Sequence, residues 1–148
     1  MARRLDRAGA DALVLFNRFY EPDFNLETLD VIPNLQFSHP FEMRLSLHWT
    51  AILHGHIKAS IAAGRGVKDA QDVLKLIMAG ADAVTAASVF YQEGIGRATR
   101  ILSDLRDWMD RHEYVSIRQM QGSMSYRNVA DPSAFERANY LRILQSIH

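Results

Sequence analysis

The sequence contains no cysteine, no excess of charge of either sign and no long apolar run. The absence of cysteine excludes disulfide frameworks, thiolate metal sites and cysteine nucleophiles, and it is compatible with a reducing compartment. Seventeen basic and seventeen acidic side chains cancel, so the net charge favours neither nucleic acid nor an anionic membrane as a partner. The apolar stretch 12–16 is too short for a signal peptide or a membrane span. We therefore predict a cytoplasmic protein that binds neither nucleic acid nor membrane.

One short phrase, Ala-Gly-Ala-Asp-Ala, occurs twice, at residues 8–12 and 79–83. Each time a helical pattern precedes the glycine, Gly9 or Gly80, and glycine is the residue that most readily takes the left-handed conformation at the end of a helix. A run of small apolar residues without polar alternation follows each glycine. Such runs are typical of parallel strands that are buried on both faces. The repeat therefore predicts a helix, a stop and a buried parallel strand, each occurring twice.

The remaining pattern extends this alternation along the chain, whose 148 residues suffice for one domain with a sizeable core. Apolar spacing predicts helices and strands in the order helix 2–8, strand 12–17, helix 40–54, strand 57–62, helix 70–79 and strand 82–87, with helices beyond. Residues 20–39 are predicted to be an insertion, with a short strand pair at 31–33 and 35–37. Apolar stripes at 98–109 and 135–144 predict two further amphipathic helices.

These elements place the chain in the α/β class, as one domain over 1–148. Its βα units occupy 1–112 and a helical extension occupies 113–148. A parallel sheet of only about three strands leaves two apolar edges and one poorly covered face, which favours pairing with another chain. We therefore expect self-association into a homo-oligomer.

The stretch Gly64-Arg65-Gly66 is the most informative candidate site. A strand that ends in Gly-x-Gly just before a helix presents backbone N–H groups and the positive end of the helix dipole to an anion, and a phosphate suits this geometry. Spacing alone favours a plain turn without any ligand, because such turns are common. A second turn of small residues, which ends in Ala87 and Ser88, supports the hypothesis that the first turn binds phosphate. Two consecutive turns of this kind hold phosphate after the last strands of many (β/α)₈ barrels.

Polar residues at two other positions have competing interpretations. Asn17 and Arg18 end the first strand, where Asn17 is able to bind a carbonyl or carboxylate and Arg18 an anion. Alternatively, Asn17 bonds only to backbone and Arg18 reaches solvent or Glu21. His54 and His56 have a spacing seen in metal sites, but the sequence offers no convincing third ligand, so we predict no metal site.

Three stretches of the sequence resemble the C-terminal part of the dihydroorotate dehydrogenase-like flavoproteins, which are (β/α)₈-barrel oxidoreductases that use FMN. The stretches are LVLFNRFYEPDFNLETL, IAAGRGVKDAQDVLKLIMAGADAVTAASVFYQEG and QGSMSYRNVADPSAFERANYLRILQS. They cover nearly the whole chain in the family's order. The resemblance implies that the fold is a partial (β/α)₈ (TIM) barrel, with the sixth, seventh and eighth strands of the parent barrel, flanking helices and extra C-terminal helices.

The same resemblance implies roles for individual residues. FMN phosphate would lie in the two final βα turns, at Gly64, Arg65, Gly66, Ala87 and Ser88. Asn17 matches an asparagine that contacts the substrate near the flavin ring. The chain departs from the family at Arg65, where relatives usually carry a glycine, so that the arginine either reinforces the anion site or marks a weakened grip on phosphate.

The resemblance also implies what the chain lacks. The catalytic base and most contacts to the flavin ring come from the first five strands of the family's barrel. We therefore expect a fragment of an FMN oxidoreductase of pyrimidine biosynthesis that contributes the phosphate-binding turns and is inactive alone, with an N-terminal barrel partner or further copies of itself as partners. The alternatives are a non-enzymatic self-associating domain and a module that binds a small phosphorylated metabolite.

Overall fold

A computed structural model of the protein describes residues 1–17, 21–33 and 36–136. The helices in these ranges are α1 (Ala2–Arg7), α2 (Met43–Leu53), α3 (Ala70–Ala79), α4 (Ser88–Glu93), α5 (Gly96–Arg111) and α6 (Ile117–Met120). The strands are β1 (Ala12–Leu15), β2 (Asp23–Asn25), β3 (Asp30–Ile32), β4 (Ser60–Gly64) and β5 (Ala83–Thr85). Short 3₁₀ helices occupy Pro40–Glu42 and Pro132–Phe135.

Strands β1, β4 and β5 form a parallel sheet in the spatial order β1-β4-β5. Leu15 lies opposite Ala63, and Ala62 lies opposite Ala83, so the carboxyl ends of the three strands share one edge of the sheet. Strands β2 and β3 form a separate antiparallel pair within the insertion. The expected α/β fold with three parallel strands and flanking helices is confirmed.

Capping groups explain where the chain changes from helix to strand. The side chain of Asp69 accepts a hydrogen bond from the Asp72 N–H and begins α3. Gly80, with φ of 116°, ends α3, and Gly9, with φ of 94°, follows α1. Both copies of the repeated phrase therefore work as helix stops, because glycine tolerates positive φ at little cost.

Carboxylates hold the amino end of β4 between its neighbours. The Asp82 carboxylate accepts from the Ile61 N–H at 2.7 Å. Asp6, at the end of α1, accepts from the backbone N–H groups of Lys58 and Ala59 at 2.9 and 2.8 Å. These bonds satisfy backbone donors just before and at the start of the central strand, and they align it with both flanking units.

The core lies on one side of the parallel sheet. One buried cluster joins α2, β4 and α3 and comprises Met43, Ala63, Val67, Leu76 and Ala81. A second cluster joins α3 to α5 and α6, and it comprises Ala70, Leu74, Ile77, Ile101, Leu105 and Met120. The helices thus cover the sheet face that carries Ala63, and they hold the strand ends in place.

The opposite face of the parallel sheet is bare in the described chain. Val14 is 64% exposed, and Ala12, Ser60, Ala83 and Thr85 are exposed as well. Among the described residues, the prediction that these strands are buried on both faces is wrong for β1 and β5. The physical reason is the pleat, since alternate residues point to opposite faces and the helices cover only one of them.

Other boundaries also differ from the sequence-based expectation. The insertion pairs Asp23–Asn25 with Asp30–Ile32, and the strand expected at 35–37 is absent from its described residues 36 and 37. Between Met120 and residue 136 the described chain consists of turns and one 3₁₀ helix, whereas the helix expected at 135–144 lies largely outside the described residues. In the described ranges, no helix has the length and apolar character needed to cross a bilayer. The proposed division of the domain at residue 112 stays a prediction.

Candidate functional site

A cavity of about 480 Å³ opens at the carboxyl ends of the three parallel strands. Its wall includes Asn17, Arg65, Gly66, Ala87 and Ser88, which are five of the six site residues expected from the sequence. They meet there because parallel strands deliver the residues that follow them to a single edge of the sheet. The sixth expected residue, Gly64, is not among the residues that line the cavity.

Gly64, the sixth residue, has a packing role. A methyl group at this position would overlap the hydroxyl and carbonyl oxygens of Thr85 on the adjacent strand. The next two residues, Arg65 and Gly66, have φ of 77° and 76°. A side chain at Gly66 would also overlap the His39 carbonyl. The end of β4 and the turn that follows it thus pack closely against β5 on one side and against the segment that precedes α2 on the other.

The Arg65 side chain turns toward acidic residues. Its Nε donates to Glu42 Oε2 at 2.6 Å, and its second guanidinium nitrogen lies 4.0 Å from Glu21 Oε1. Only 17% of the Arg65 side chain is exposed, against 24% for that of Glu42. The positive charge in the wall of the cavity is therefore balanced by a close, partly buried carboxylate.

The amino end of α3 has its own anions, in contrast to the expectation that it faces a ligand. Asp69 caps the helix, and Asp72 accepts from the Lys68 N–H at 3.0 Å. Carboxylates at this end complement the helix dipole. An anion in the cavity would consequently rely on the turn at Arg65 and Gly66 and not on the first turn of α3.

The second turn carries Ala87 and Ser88, and the insertion folds over it. The Ser88 Oγ accepts from the Ser38 N–H at 3.3 Å. Phe37 and Tyr91 stack nearby with ring centroids 6.0 Å apart, and both line the cavity. Sequence reasoning missed Phe37, Ser38 and Tyr91, because no local pattern signals a contact between residues fifty positions apart.

Asn17 follows β1 and lines the cavity, and its contact with a substrate stays a prediction. Arg18, the other candidate at this strand end, lies outside the described residues. His54 packs its ring against Gly80 and Gly122, with Nδ1 3.2 Å from the Gly80 carbonyl oxygen. Across residues 1–17, 21–33 and 36–136, no group of three or more histidines and carboxylates is placed to hold a metal ion.

The side chains of the described cavity wall determine which chemistry it offers to a ligand. Besides backbone groups, its polar members are amides, hydroxyls and the Arg65 guanidinium; within the described part of the chain it has no carboxylate, histidine or lysine. General acid–base catalysis near neutral pH relies on such groups. Among the described lining residues, Tyr91 is the one side chain of a type that also serves as a general acid or base.

Comparisons with known proteins show a likeness of fold. No protein-family model matches the sequence, and no curated protein sequence matches it significantly. Two solved structures of DHODH (dihydroorotate dehydrogenase) from Eimeria tenella are similar, each with a TM-score of 0.63 over 80% of this chain. The structure in complex with ferulenol is 20% identical, and the ligand-free one is 18% identical. The chain covers 32% and 33% of those two chains, so it shares the fold of about one third of a DHODH chain, a partial α/β barrel.

Proposed function

We propose that the chain supplies the FMN-phosphate-binding turns of a dihydroorotate dehydrogenase-like flavin oxidoreductase and is inactive by itself. The observation that carries the proposal is the cavity, because it joins Asn17, the Arg65–Gly66 turn and the Ala87–Ser88 turn at one edge of the sheet. Small-molecule sites of open α/β sheets lie at this edge.

The residues present fit the phosphate end of FMN. Within the described chain, the backbone N–H groups of Gly66 and Ser88 donate to no acceptor. Unused N–H groups in glycine-rich turns are the usual partners of phosphate oxygens. The volume of about 480 Å³ lies in the range of roughly 300–1,000 Å³ that is typical of cofactor pockets. Phe37 and Tyr91 add an aromatic wall.

Each residue of the pocket would have a limited role. The turns at Gly66 and Ser88 would hold the phosphate through backbone N–H groups, and the Asn17 amide would orient a polar group of the substrate. When bound, FMN supplies the hydride chemistry. The described lining has no carboxylate, histidine or lysine for the proton transfer that accompanies it, so we expect such a group to come from barrel strands other than β1, β4 and β5.

Flavin titration of the purified chain tests the proposal. We expect FMN fluorescence to be quenched with a dissociation constant below about 1 mM, and riboflavin, which lacks the phosphate, to bind at least tenfold more weakly. Ser88→Asp should abolish FMN binding by placing a negative charge in the pocket. The matched control is Ser103→Asp on the exposed surface of α5. No quenching at millimolar FMN, or equal binding of FMN and riboflavin, would contradict the proposal.

A second candidate function, a self-associating domain without enzymatic activity, is favoured by the bare sheet face. Val14 on that face is 64% exposed, and β1 and β5 each pair on one side only within the described chain. Parallel sheets with open edges and an exposed apolar face tend to bury both against another chain.

Sedimentation velocity tests this second candidate. We expect the wild-type chain to form dimers or larger oligomers, and Val14→Asp to shift them toward monomer. Val31→Asp is the control, because Val31 is 59% exposed in the separate β2–β3 pair. A wild-type chain that stays monomeric from micromolar to near-millimolar concentration would rule out self-association.

A further inference from the structure

An ion pair joins Arg65, which lines the cavity, to Glu42 of the 3₁₀ helix that precedes α2. Arg65 lines the cavity and donates to Glu42 Oε2 at 2.6 Å. Glu21 Oε1 lies 4.0 Å from the same guanidinium group. Arg65, the one cationic side chain of the described wall, therefore lies beside two carboxylates.

Neighbouring packing fixes both partners of this ion pair. Met43, which follows Glu42, is 4% exposed, and Val67, two residues beyond Arg65, is 3% exposed in the same buried cluster. The His39 carbonyl also packs where a side chain at Gly66 would lie. The positive φ of Arg65, 77°, is a conformation that non-glycine residues rarely adopt. The surrounding contacts thus hold a strained arginine beside its carboxylate.

We propose that Glu42 determines the ligand specificity of the cavity, by holding Arg65 so that a phosphate binds only in exchange for the carboxylate. This inference rests on the proposed phosphate site and names its specificity residue. A phosphate monoester carries a charge of about −1.5 to −2 at neutral pH, so it is repelled by Glu42 and Glu21 until Arg65 is released to it. Ligands without an anionic group meet no such barrier, because they do not compete for Arg65.

Glu42→Gln tests the inference directly. Glutamine keeps the length and an acceptor oxygen for Arg65 and removes the charge. We expect it to tighten FMN binding about tenfold and to leave riboflavin binding unchanged, since only the phosphate competes with Glu42. The matched control is Glu27→Gln, an exposed residue of the turn between β2 and β3 that does not line the cavity.

Two further variants keep the test decisive. Glu21→Gln changes a side chain that is 64% exposed, so it should fold normally and tighten FMN binding about twofold. Combining Glu42→Gln with Arg65→Ala should remove the tenfold gain, because the released guanidinium is the group that meets the phosphate. A gain that persists without Arg65 would overturn the inference, as would unchanged or weaker FMN binding in both single glutamine variants.

The outcomes separate this inference from the proposed function. If the wild-type chain binds FMN and the Glu42→Gln and Glu21→Gln variants bind it no better, the specificity role of Glu42 is refuted and the phosphate site stands. If only Glu42→Gln binds FMN, the role of Glu42 is supported and FMN binding by the natural chain is refuted. If none of the three binds, both proposals fail.

Discussion

Replacing Gly80 by alanine should destabilise the protein more than the same change at Gly9, although both glycines occupy the same place in the repeated phrase. Both have positive φ, 116° at Gly80 and 94° at Gly9. A methyl group at Gly9 would meet nothing within 4 Å, whereas one at Gly80 would overlap the His54 ring. The two substitutions therefore share a backbone cost and differ in a packing cost.

The magnitudes follow from these contacts. Alanine at positive φ costs roughly 1–2 kcal/mol, and the loss of glycine's freedom in the unfolded chain returns about 0.4–1 kcal/mol. Gly9→Ala should therefore cost about 1 kcal/mol. At Gly80 the displaced His54 ring also loses its contact with the Gly80 carbonyl, 3.2 Å away, and is forced from its rotamer. Each of these effects costs about 0.5–1.5 kcal/mol, so Gly80→Ala should cost about 2–4 kcal/mol.

Urea unfolding followed by circular dichroism measures both costs as changes in the free energy of unfolding. A double-mutant cycle with His54→Gly isolates the packing part, because alanine would keep the His54 Cβ, which a methyl group at Gly80 also overlaps. Without the Cβ and the ring, Gly80→Ala should cost only about 1 kcal/mol. Equal destabilisation by Gly9→Ala and Gly80→Ala, or a cost at Gly80 that does not depend on His54, would refute this account of the two glycines.

Three further predictions concern the core and the surface. Thr50→Val should raise the free energy of unfolding by about 1 kcal/mol in urea, because the fully buried Thr50 hydroxyl has no hydrogen-bond partner in the described chain; a loss of stability would contradict this. Leu76→Ala, at a side chain with 0% exposure, should cost about 2–5 kcal/mol, whereas Leu102→Ala, at 63% exposure, should change stability by less than about 0.5 kcal/mol. The Tyr126 hydroxyl donates to Glu136 at 2.8 Å, which raises the pKa of Tyr126 by stabilising its protonated form. An absorbance titration should show one tyrosine with a lower pKa after Glu136→Gln, and an unchanged curve would contradict the contact.

Local pattern predicts the central elements of this fold well. The helix expected at 70–79 has these bounds, because Asp69 and Gly80 cap it with their own side chain and backbone conformation. The strand expected at 57–62 lies instead at Ser60–Gly64. The His56 N–H still bonds to the Leu53 carbonyl in a turn, so the strand begins later than composition suggests. Caps are local signals, and the start of a strand depends on its neighbours.

The candidate site also combines features that local sequence predicts with features that only the fold determines. The positions of Asn17, Gly66 and Ser88 follow from strand order alone, since each lies within three residues of the end of a parallel strand. The pairing of Arg65 with Glu42 does not follow from any local pattern, because it joins residues twenty-three positions apart. The question of whether Arg65 reinforces or weakens an anion site is thus one of charge balance in three dimensions.

The sequence by itself determined the alternation of helix and parallel strand and the two glycine stops, because apolar spacing and backbone freedom are properties of short segments. Only the tertiary structure decided that Gly80 lies against His54 while Gly9 lies in open space. It also decided that one sheet face is left uncovered by the described residues and that Arg65, in the wall of the cavity, is already paired with Glu42. These features depend on which distant segments of the chain pack together. The two copies of the repeated sequence therefore have different neighbours.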